Sequence, residues 1–241
     1  MQLKISKTKQ EVAKNFADYL IDSVNQSPSL HIALSGGSTP KIVFDELASR
    51  NIPDEVWQKV SLYWGDERCV PPSDNESNFK MTVEHLLSKI NIPEANVHRI
   101  KGENKPEYEA ERYQEILEKE LPNSGGLPRF DLVILGMGDD GHTASIFPHE
   151  IELWHSKNLC EVAEHPESGQ KRITITGKLI NHATTVAFLV TGESKSEKVE
   201  EIINLEGDFK SYPANLVAPD SGNLFWFMDE AAAARINLGL F

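Results

Sequence analysis

The residues best suited to chemistry follow an apolar run in the middle of the chain. Residues 135–148 read LGMGDDGHTASIFP and combine glycines, two carboxylates and one histidine. A histidine can take up and return a proton near neutral pH, and an adjacent carboxylate can fix its tautomer and orientation. The pattern therefore predicts a catalytic loop in which Asp140 supports His142. The alternative is that Asp139 and Asp140 only cap the next helix and that His142 is a solvated turn residue.

A glycine-rich turn follows an earlier apolar run. Residues 34–40 read LSGGSTP, where glycines allow close backbone approach and the hydroxyl residues can begin a helix. Backbone N–H groups, two hydroxyls and the helix dipole can together hold a phosphoryl group or sugar hydroxyls. The residues expected to do so are Gly36, Gly37, Ser38 and Thr39. An ordinary capped strand-to-helix turn explains the same letters, because the segment matches neither common nucleotide-binding fingerprint.

A third polar segment, GDERCVPP, begins where another apolar run ends. The planar guanidinium of Arg68 can bind a phosphate through two parallel N–H hydrogen bonds. Asp66 can accept hydrogen bonds from sugar hydroxyls or orient a neighbouring side chain. Asn78 and Lys80 can extend the same polar wall. A surface salt bridge would explain the charges equally well.

Two further cations are candidate anion ligands. Lys195, in TGESKSEKV, falls in the first turn of an expected helix, where a positive charge opposes the helix dipole and a bound anion would explain it. Lys198 is the competing choice, and either lysine can simply be solvated. Arg172, in KRITIT, is another candidate, although a charge on an edge strand would account for it.

These segments need a scaffold, and the hydrophobic periodicity supplies one. We expect strands at residues 31–35, 59–64, 130–135, 184–190 and 223–228, and helices at 7–25, 39–50, 75–90, 105–121 and 194–205. Alternation of strands and helices favours right-handed crossovers. The sequence predicts an α/β fold, a Rossmann-like, doubly wound and mainly parallel sheet with helices on both faces, in a single domain spanning residues 1–241. The turn-rich residues 121–129 are expected to connect elements within it. Ligands bind such sheets at the carboxyl ends of the strands.

Composition narrows the classes of function. The 241 residues carry a net charge of −13, which disfavours a nucleic-acid or anionic-membrane binder. Without an apolar run of about 18 residues or a secretory signal, we expect a cytoplasmic protein. The two cysteines, Cys69 and Cys160, lack metal-ligand spacing and are expected to be reduced thiols. Neither a metal site nor a nucleotide or flavin cofactor is predicted.

Four motifs in this order, LSGGSTP, GDERCVPP with SNFKM, LGMGDDGHTASIFP and TGESKSE, resemble the glucosamine-6-phosphate isomerase/6-phosphogluconolactonase family over nearly the full chain. Within that family, the four motifs are most similar to those of the lactonase members. The resemblance implies cofactor-independent hydrolysis of the phosphorylated sugar lactone 6-phospho-D-glucono-1,5-lactone to 6-phosphogluconate, in the oxidative pentose phosphate pathway. It also implies that His142 is the catalytic histidine and that Arg68 and Lys195 bind phosphate.

Two other functions stay open at this point. Deaminases of the same family have a similar loop, GHIAFNEP, with a carboxylate before the proline, whereas this chain has Phe147 before Pro148. A non-catalytic sugar-phosphate sensor is the second alternative, although the acidic chain has no room for a helix-turn-helix module before its first strand. The oligomeric state is open, and a monomer is plausible.

Overall fold

A computed structural model describes residues 1–237, and a seven-stranded parallel sheet forms its centre. With the strands numbered in chain order, as the next sentence defines them, the order across this sheet is β1-β12-β11-β8-β2-β3-β5. The described strands are β1 Gln2–Ser6, β2 Leu30–Leu34, β3 Val60–Trp64, β4 Asp66–Arg68, β5 Val97–His98, β6 Asn123–Ser124, β7 Leu127–Pro128, β8 Leu132–Leu135, β9 Cys160–Glu164, β10 Lys171–Ile175, β11 Thr185–Val190 and β12 Leu224–Asp229.

Helices connect these strands. The α-helices are α1 Lys9–Asn25, α2 Ser38–Ser49, α3 Asp54–Trp57, α4 Asn78–His85, α5 Pro106–Glu120, α6 Gly177–Asn181 and α7 Ser196–Asn204. Short 3₁₀ helices occupy Leu87–Lys89, Glu94–Asn96, Pro148–His155, Glu193–Lys195, Phe209–Ser211 and Pro213–Leu216. Helix α1 shows why they form: Thr8 caps its N-terminus, and Val12, Phe16, Leu20 and Val24 bury one face.

The strand order places a topological switch point between β2 and β8. After β2 the chain moves outward to β3 and β5, and after β8 it moves the other way to β11 and β12. Right-handed crossovers therefore put α1 and α2 on one face and α5 and α7 on the other. Ligands bind doubly wound sheets in the crevice at such a point. The loops that follow β2 and β8 are the glycine-rich turn and the histidine loop.

The predicted fold class is confirmed, and each of the five predicted strands begins and ends within two residues of an observed one. The short, partly exposed strand β1 was not predicted. The helix expected at residues 75–90 is shorter, because α4 spans Asn78–His85 and a 3₁₀ turn follows it. The connector at residues 121–129 contains the hairpin β6–β7.

A second, antiparallel sheet of three strands, β4-β10-β9, was also missed. Its strand β10 is central, so the interpretation of Arg172 as an edge-strand charge is wrong. Arg172 is instead paired across the sheet with Arg68. The small sheet thus brings two segments, about a hundred residues apart in sequence, to the same side of the crevice.

The buried apolar side chains form one continuous core, which contacts both faces of the parallel sheet. Strand β8 is buried at every position, as its LVIL sequence predicts. Within residues 1–237, no helix has both the length and the apolar character that a membrane crossing requires.

Candidate active site

A cavity of about 250 Å³ opens at the carboxyl edge of the parallel sheet, at the switch point. It brings together the main predicted site residues except Asp140, which lies directly behind His142, but it does not include the secondary candidates Lys80 and Lys198. The residues that line it are Ser35, Gly36, Gly37, Ser38, Thr39, Pro40, Asp66, Arg68, Asn78, Gly136, Met137, Gly138, His142, Ala144, Arg172, Leu189, Val190, Thr191 and Lys195.

His142 and Asp140 form a close pair. The Nδ1 atom of His142 lies 2.7 Å from Oδ1 of Asp140, and the same oxygen accepts from the backbone N–H of His142 at 3.1 Å. Burial opposes ionisation of Asp140, but the hydrogen bond and charge of His142 lower the pKa of this carboxyl to about 2. An ionised carboxylate only accepts, so the Nδ1 atom carries a proton. The Nε2 atom is then the basic nitrogen of the ring.

The histidine loop is packed tightly around this pair. A Cβ atom added at Gly138 would lie 2.1 Å from Nδ1 of His142 and 2.6 Å from Oδ1 of Asp140. The buried ring of Phe147 lies under the imidazole, with 4.6 Å between ring centroids. Gly141 has a φ of +83° and packs against the Tyr212 ring, while its carbonyl accepts from Ala214 at 3.1 Å. The imidazole is therefore held from several sides.

The glycine-rich turn ends at the start of helix α2. Gly37 is the N-cap, has a φ of +106° and offers no side chain to cap the helix. The first N–H groups of α2 therefore have no side-chain acceptor at the helix start and face the crevice, the arrangement that binds phosphate at helix N-termini. Thr39 Oγ1 lies 2.8 Å from Thr191 Oγ1 and ties this turn to the end of β11.

Asp66 is almost fully buried and joins three loops. Its Oδ2 atom accepts from Ser145 Oγ at 2.6 Å, and its backbone carbonyl accepts from the amide of Asn78 at 3.0 Å. Asn78 in turn packs on Gly36, where a Cβ atom would lie only 1.8 Å from its Oδ1 atom. Asn78, a secondary candidate in the sequence, thus lies at the centre of this wall, whereas Lys80 lies outside the cavity lining.

Glu67 is a buried residue that sequence reasoning missed. Its carboxylate accepts from the backbone N–H groups of Asn78 and Phe79, each at 2.8 Å, and from Ser77 Oγ at 3.0 Å. Burial raises the pKa of Glu67, although these hydrogen bonds oppose the shift. It fastens the start of α4 to β4 and so places Asn78 and Arg68. The only signal in the sequence was its position beside Asp66.

Arg68 and Arg172 are the least satisfied charges in the cavity. They face each other across β4 and β10, and the Nε atom of each is buried without a hydrogen-bond partner among the described residues. Arg68 donates from Nη1 to the carbonyl of Glu76 at 2.7 Å, and Arg172 lies over the Phe147 ring. Burial and the charge of Arg68 both lower the pKa of Arg172. Neither arginine forms a salt bridge with any residue in the range 1–237, so the pair is suited to an anion.

The structure separates the two candidate lysines. Lys195 lines the cavity and its Nζ atom lies 2.7 Å from Oδ1 of Asp139. Lys198 points to a different cluster, where its Nζ atom lies 2.8 Å from the Tyr212 hydroxyl and 3.1 Å from Oε2 of Glu201. The geometry therefore favours Lys195 as an anion ligand.

The described residues give little support for a thiol nucleophile or for a cluster of metal ligands. Burial raises the pKa of the Cys69 thiol to about 11, which keeps it protonated, and Cys160 is buried. Both cysteines are free thiols. Across residues 1–237, His, Cys, Asp and Glu form no group of three or more that could hold a metal ion.

Comparisons with known proteins agree with this architecture. The family model described as glucosamine-6-phosphate isomerases/6-phosphogluconolactonase matches residues 5–226. A 6-phosphogluconolactonase of Haemophilus influenzae is 44% identical over 222 residues, which cover 92% of this chain and 93% of that protein. The crystal structure of devB protein superposes with a TM-score of 0.93 at 43% identity and covers 98% of this chain and 99% of that one. The 6-phosphogluconolactonase structure from Trypanosoma brucei gives 0.84 at 30% identity, with 97% of each chain covered. The chain belongs to the glucosamine-6-phosphate isomerase/6-phosphogluconolactonase family.

Proposed function

We propose that this protein is a 6-phosphogluconolactonase, which hydrolyses 6-phospho-D-glucono-1,5-lactone to 6-phosphogluconate in the oxidative pentose phosphate pathway. This proposal rests on one observation: a single cavity holds a carboxylate-oriented imidazole together with two arginines that form no salt bridge within residues 1–237. This combination fits a substrate with a reactive carbonyl at one end and a phosphate at the other. Relatives of that name, at 44% and 43% identity over most of the chain, support the assignment.

His142 acts as the general base in this proposal. Its Nε2 atom removes a proton from water as the water oxygen attacks the lactone carbonyl, which becomes a tetrahedral oxyanion. The oxyanion then collapses and the bond between the carbonyl carbon and the ring oxygen breaks. The ring oxygen leaves with the proton returned by His142. Asp140 supports the imidazolium that forms between the two steps, and water is the only co-reactant.

The phosphate end positions the substrate for this attack. Arg68, Arg172 and Lys195 supply the positive charge, and Gly36, Gly37, Ser38 and Thr39 supply N–H and hydroxyl donors from the start of α2. Asp66 and Asn78 also line the cavity and can bind sugar hydroxyls. Binding energy from a remote phosphate holds the carbonyl near the base and so contributes to the rate.

A specific residue favours the lactonase over the deaminase of the same family. Sugar ring opening by the deaminase uses a carboxylate in the position that Phe147 occupies here, as the resemblance implies. Phe147 is buried and packs against both His142 and Arg172, so it supports the site without exchanging a proton. The residues around His142 therefore fit hydrolysis better than deamination.

The test compares the two reactions on the same preparation. Loss of freshly generated 6-phosphogluconolactone is followed in the presence of a chelator and corrected for spontaneous hydrolysis, and ammonia release from glucosamine 6-phosphate is measured in parallel. We expect rapid lactone hydrolysis and no ammonia release. Ammonia release without lactonase activity would replace the proposal with the deaminase, and neither activity would favour a sugar-phosphate sensor.

A further inference from the structure

Asp139 and Asp140 are adjacent in the histidine loop, yet they contact different side chains. Asp140 contacts His142, whereas Asp139 Oδ1 lies 2.7 Å from Nζ of Lys195. The Asp139 side chain is 71% exposed and lies outside the cavity lining, while Lys195 is 21% exposed and lines it. Two successive carboxylates thus contact the proposed base and one proposed phosphate ligand.

We propose that Asp139 is a positioning residue that holds the Lys195 ammonium at the rim of the cavity for the phosphate of the substrate. The inference rests on the proposed function, since it takes the phosphorylated lactone as ligand. A lysine ammonium has three N–H donors, so a hydrogen bond to Asp139 leaves two for phosphate oxygens. Its long side chain has high rotamer entropy, and a fixed partner reduces the entropy still to be lost on binding.

The backbone around Lys195 shows why it needs a partner. Lys195 ends the 3₁₀ helix Glu193–Lys195 and is the N-cap residue of α7, where the helix dipole opposes a positive charge. Asp139 supplies the opposite charge from the neighbouring loop. The hydrogen bond from Lys195 lowers the pKa of Asp139, with a smaller contribution from Ser194 and with burial and Asp140 opposing it. Asp139 is therefore ionised at neutral pH.

The opposite role for Asp139 is competition with phosphate for Lys195. Positioning is favoured because the carboxylate is mostly in solvent, where water screens its repulsion of a phosphate in the cavity. The two roles give opposite results on substitution. Removal of a positioning carboxylate raises KM, whereas removal of a competitor lowers it.

A double-mutant cycle tests the role of Asp139. The variants are Asp139→Ala, Asp139→Asn, Lys195→Ala and Asp139→Ala with Lys195→Ala, measured by lactone kinetics and by calorimetric titration with inorganic phosphate. We expect Asp139→Ala to raise KM and the phosphate Kd roughly two- to fivefold with kcat unchanged, the effect of losing an exposed ion pair. Asp139→Asn keeps an acceptor oxygen, so its KM and phosphate Kd should lie between those of the wild type and Asp139→Ala. In the Lys195→Ala background, Asp139→Ala should have no further effect.

Glu193→Ala is the matched control, since Glu193 is an exposed acid two residues before Lys195 and forms no salt bridge within residues 1–237. It should leave KM, kcat and phosphate binding unchanged. A lower KM for Asp139→Ala, a fall in kcat or additive effects in the double variant would overturn the inference, as would the absence of phosphate binding to the wild type. If the wild type binds phosphate but leaves the lactone intact, the proposed function fails, and the phosphate cycle still decides the role of Asp139.

Discussion

Two groups of charged residues at the cavity, called here the histidine end and the arginine end, differ in how completely they are paired. At one end, His142 and Asp140 are 2.7 Å apart, Gly138 is pressed against both, and Phe147 packs below the imidazole. At the other end, Arg68 and Arg172 face each other, and their buried Nε atoms have no hydrogen-bond partner in the part of the chain that the structure describes.

This contrast suggests a division of roles within the site. A base must be aligned before the substrate arrives, because small errors in geometry slow a reaction greatly. An anion site can keep unpaired charge, since the ligand supplies the missing partner. We therefore expect changes at the histidine end to affect mainly kcat and changes at the arginine end to affect mainly KM. The following predictions test that contrast, from the largest effect to the smallest.

Replacement of the proposed base should have the largest effect. His142→Ala removes the proton acceptor, and we expect kcat for lactone hydrolysis to fall about 10²- to 10⁴-fold. KM and the inorganic phosphate Kd should stay close to wild type, because the arginine end is intact. Steady-state kinetics and calorimetry measure both quantities. A large rise in the phosphate Kd would show that the two ends are not separate.

Gly138→Ala should disturb the same end without removing any functional group. The new Cβ atom would lie 2.1 Å from Nδ1 of His142, so the imidazole or the loop must move. We expect kcat to fall about 10²-fold, the scale of a misplacement near 1 Å. Gly65→Ala is the control, because its nearest contact would be an ordinary 3.5 Å and its activity should be retained. Equal kcat values for the two variants would contradict the tight packing described here.

Arg172→Met should weaken substrate binding at the arginine end without destabilising the fold. Loss of a charge-assisted contact worth about 1.5–3 kcal/mol predicts a KM increase of roughly 10- to 100-fold with little change in kcat. The free energy of unfolding should stay the same or rise, because a buried charge beside Arg68 is removed. Urea titration measures stability, with the exposed Arg129→Met as control. A marked loss of stability would mean that Arg172 is structural.

The smallest predicted effect concerns the pH dependence of stability. The pKa of Asp140 is lowered to about 2, whereas an unfolded aspartate titrates near 3.9. Its stabilising contribution is therefore fully present above about pH 4 and is lost as pH falls toward 2. Because the side chain is 41% exposed, we expect Asp140→Asn to cost about 1 kcal/mol or less at pH 7. Urea midpoints of the two proteins should converge on acidification, and a constant difference from pH 7 to pH 3 would contradict this.

The parallel sheet was predictable because its strands are buried on both faces. Runs such as LVIL in β8 leave a clear apolar signal, and the polar residues at their carboxyl ends then fall at one edge. For this reason the sequence could place the histidine loop, the glycine-rich turn and Lys195 at the same sheet edge without knowledge of the tertiary structure. The nearest-carboxylate argument also found Asp140.

The antiparallel sheet β4-β10-β9 could not be predicted in the same way. Its strands are short and polar, as in the DER of β4, and a pairing between distant segments leaves no local pattern. The sequence named Arg172 as a candidate anion ligand but left an edge-strand charge as the alternative, because it gave no sign that Arg172 faces Arg68 from a central strand. Glu67 and Asn78 were missed or underrated because their importance comes from contacts with each other across the α4 start.

Imidazole rescue of His142→Ala is the most direct test of the proposed base. Lactone hydrolysis by this variant is measured with increasing exogenous imidazole, after subtraction of the rate with imidazole and no protein. If His142 is the general base and its cavity is otherwise intact, the rate should rise with imidazole in the variant and stay unchanged in the wild type. A His142→Ala protein that hydrolyses the lactone at the wild-type rate without imidazole would contradict the account.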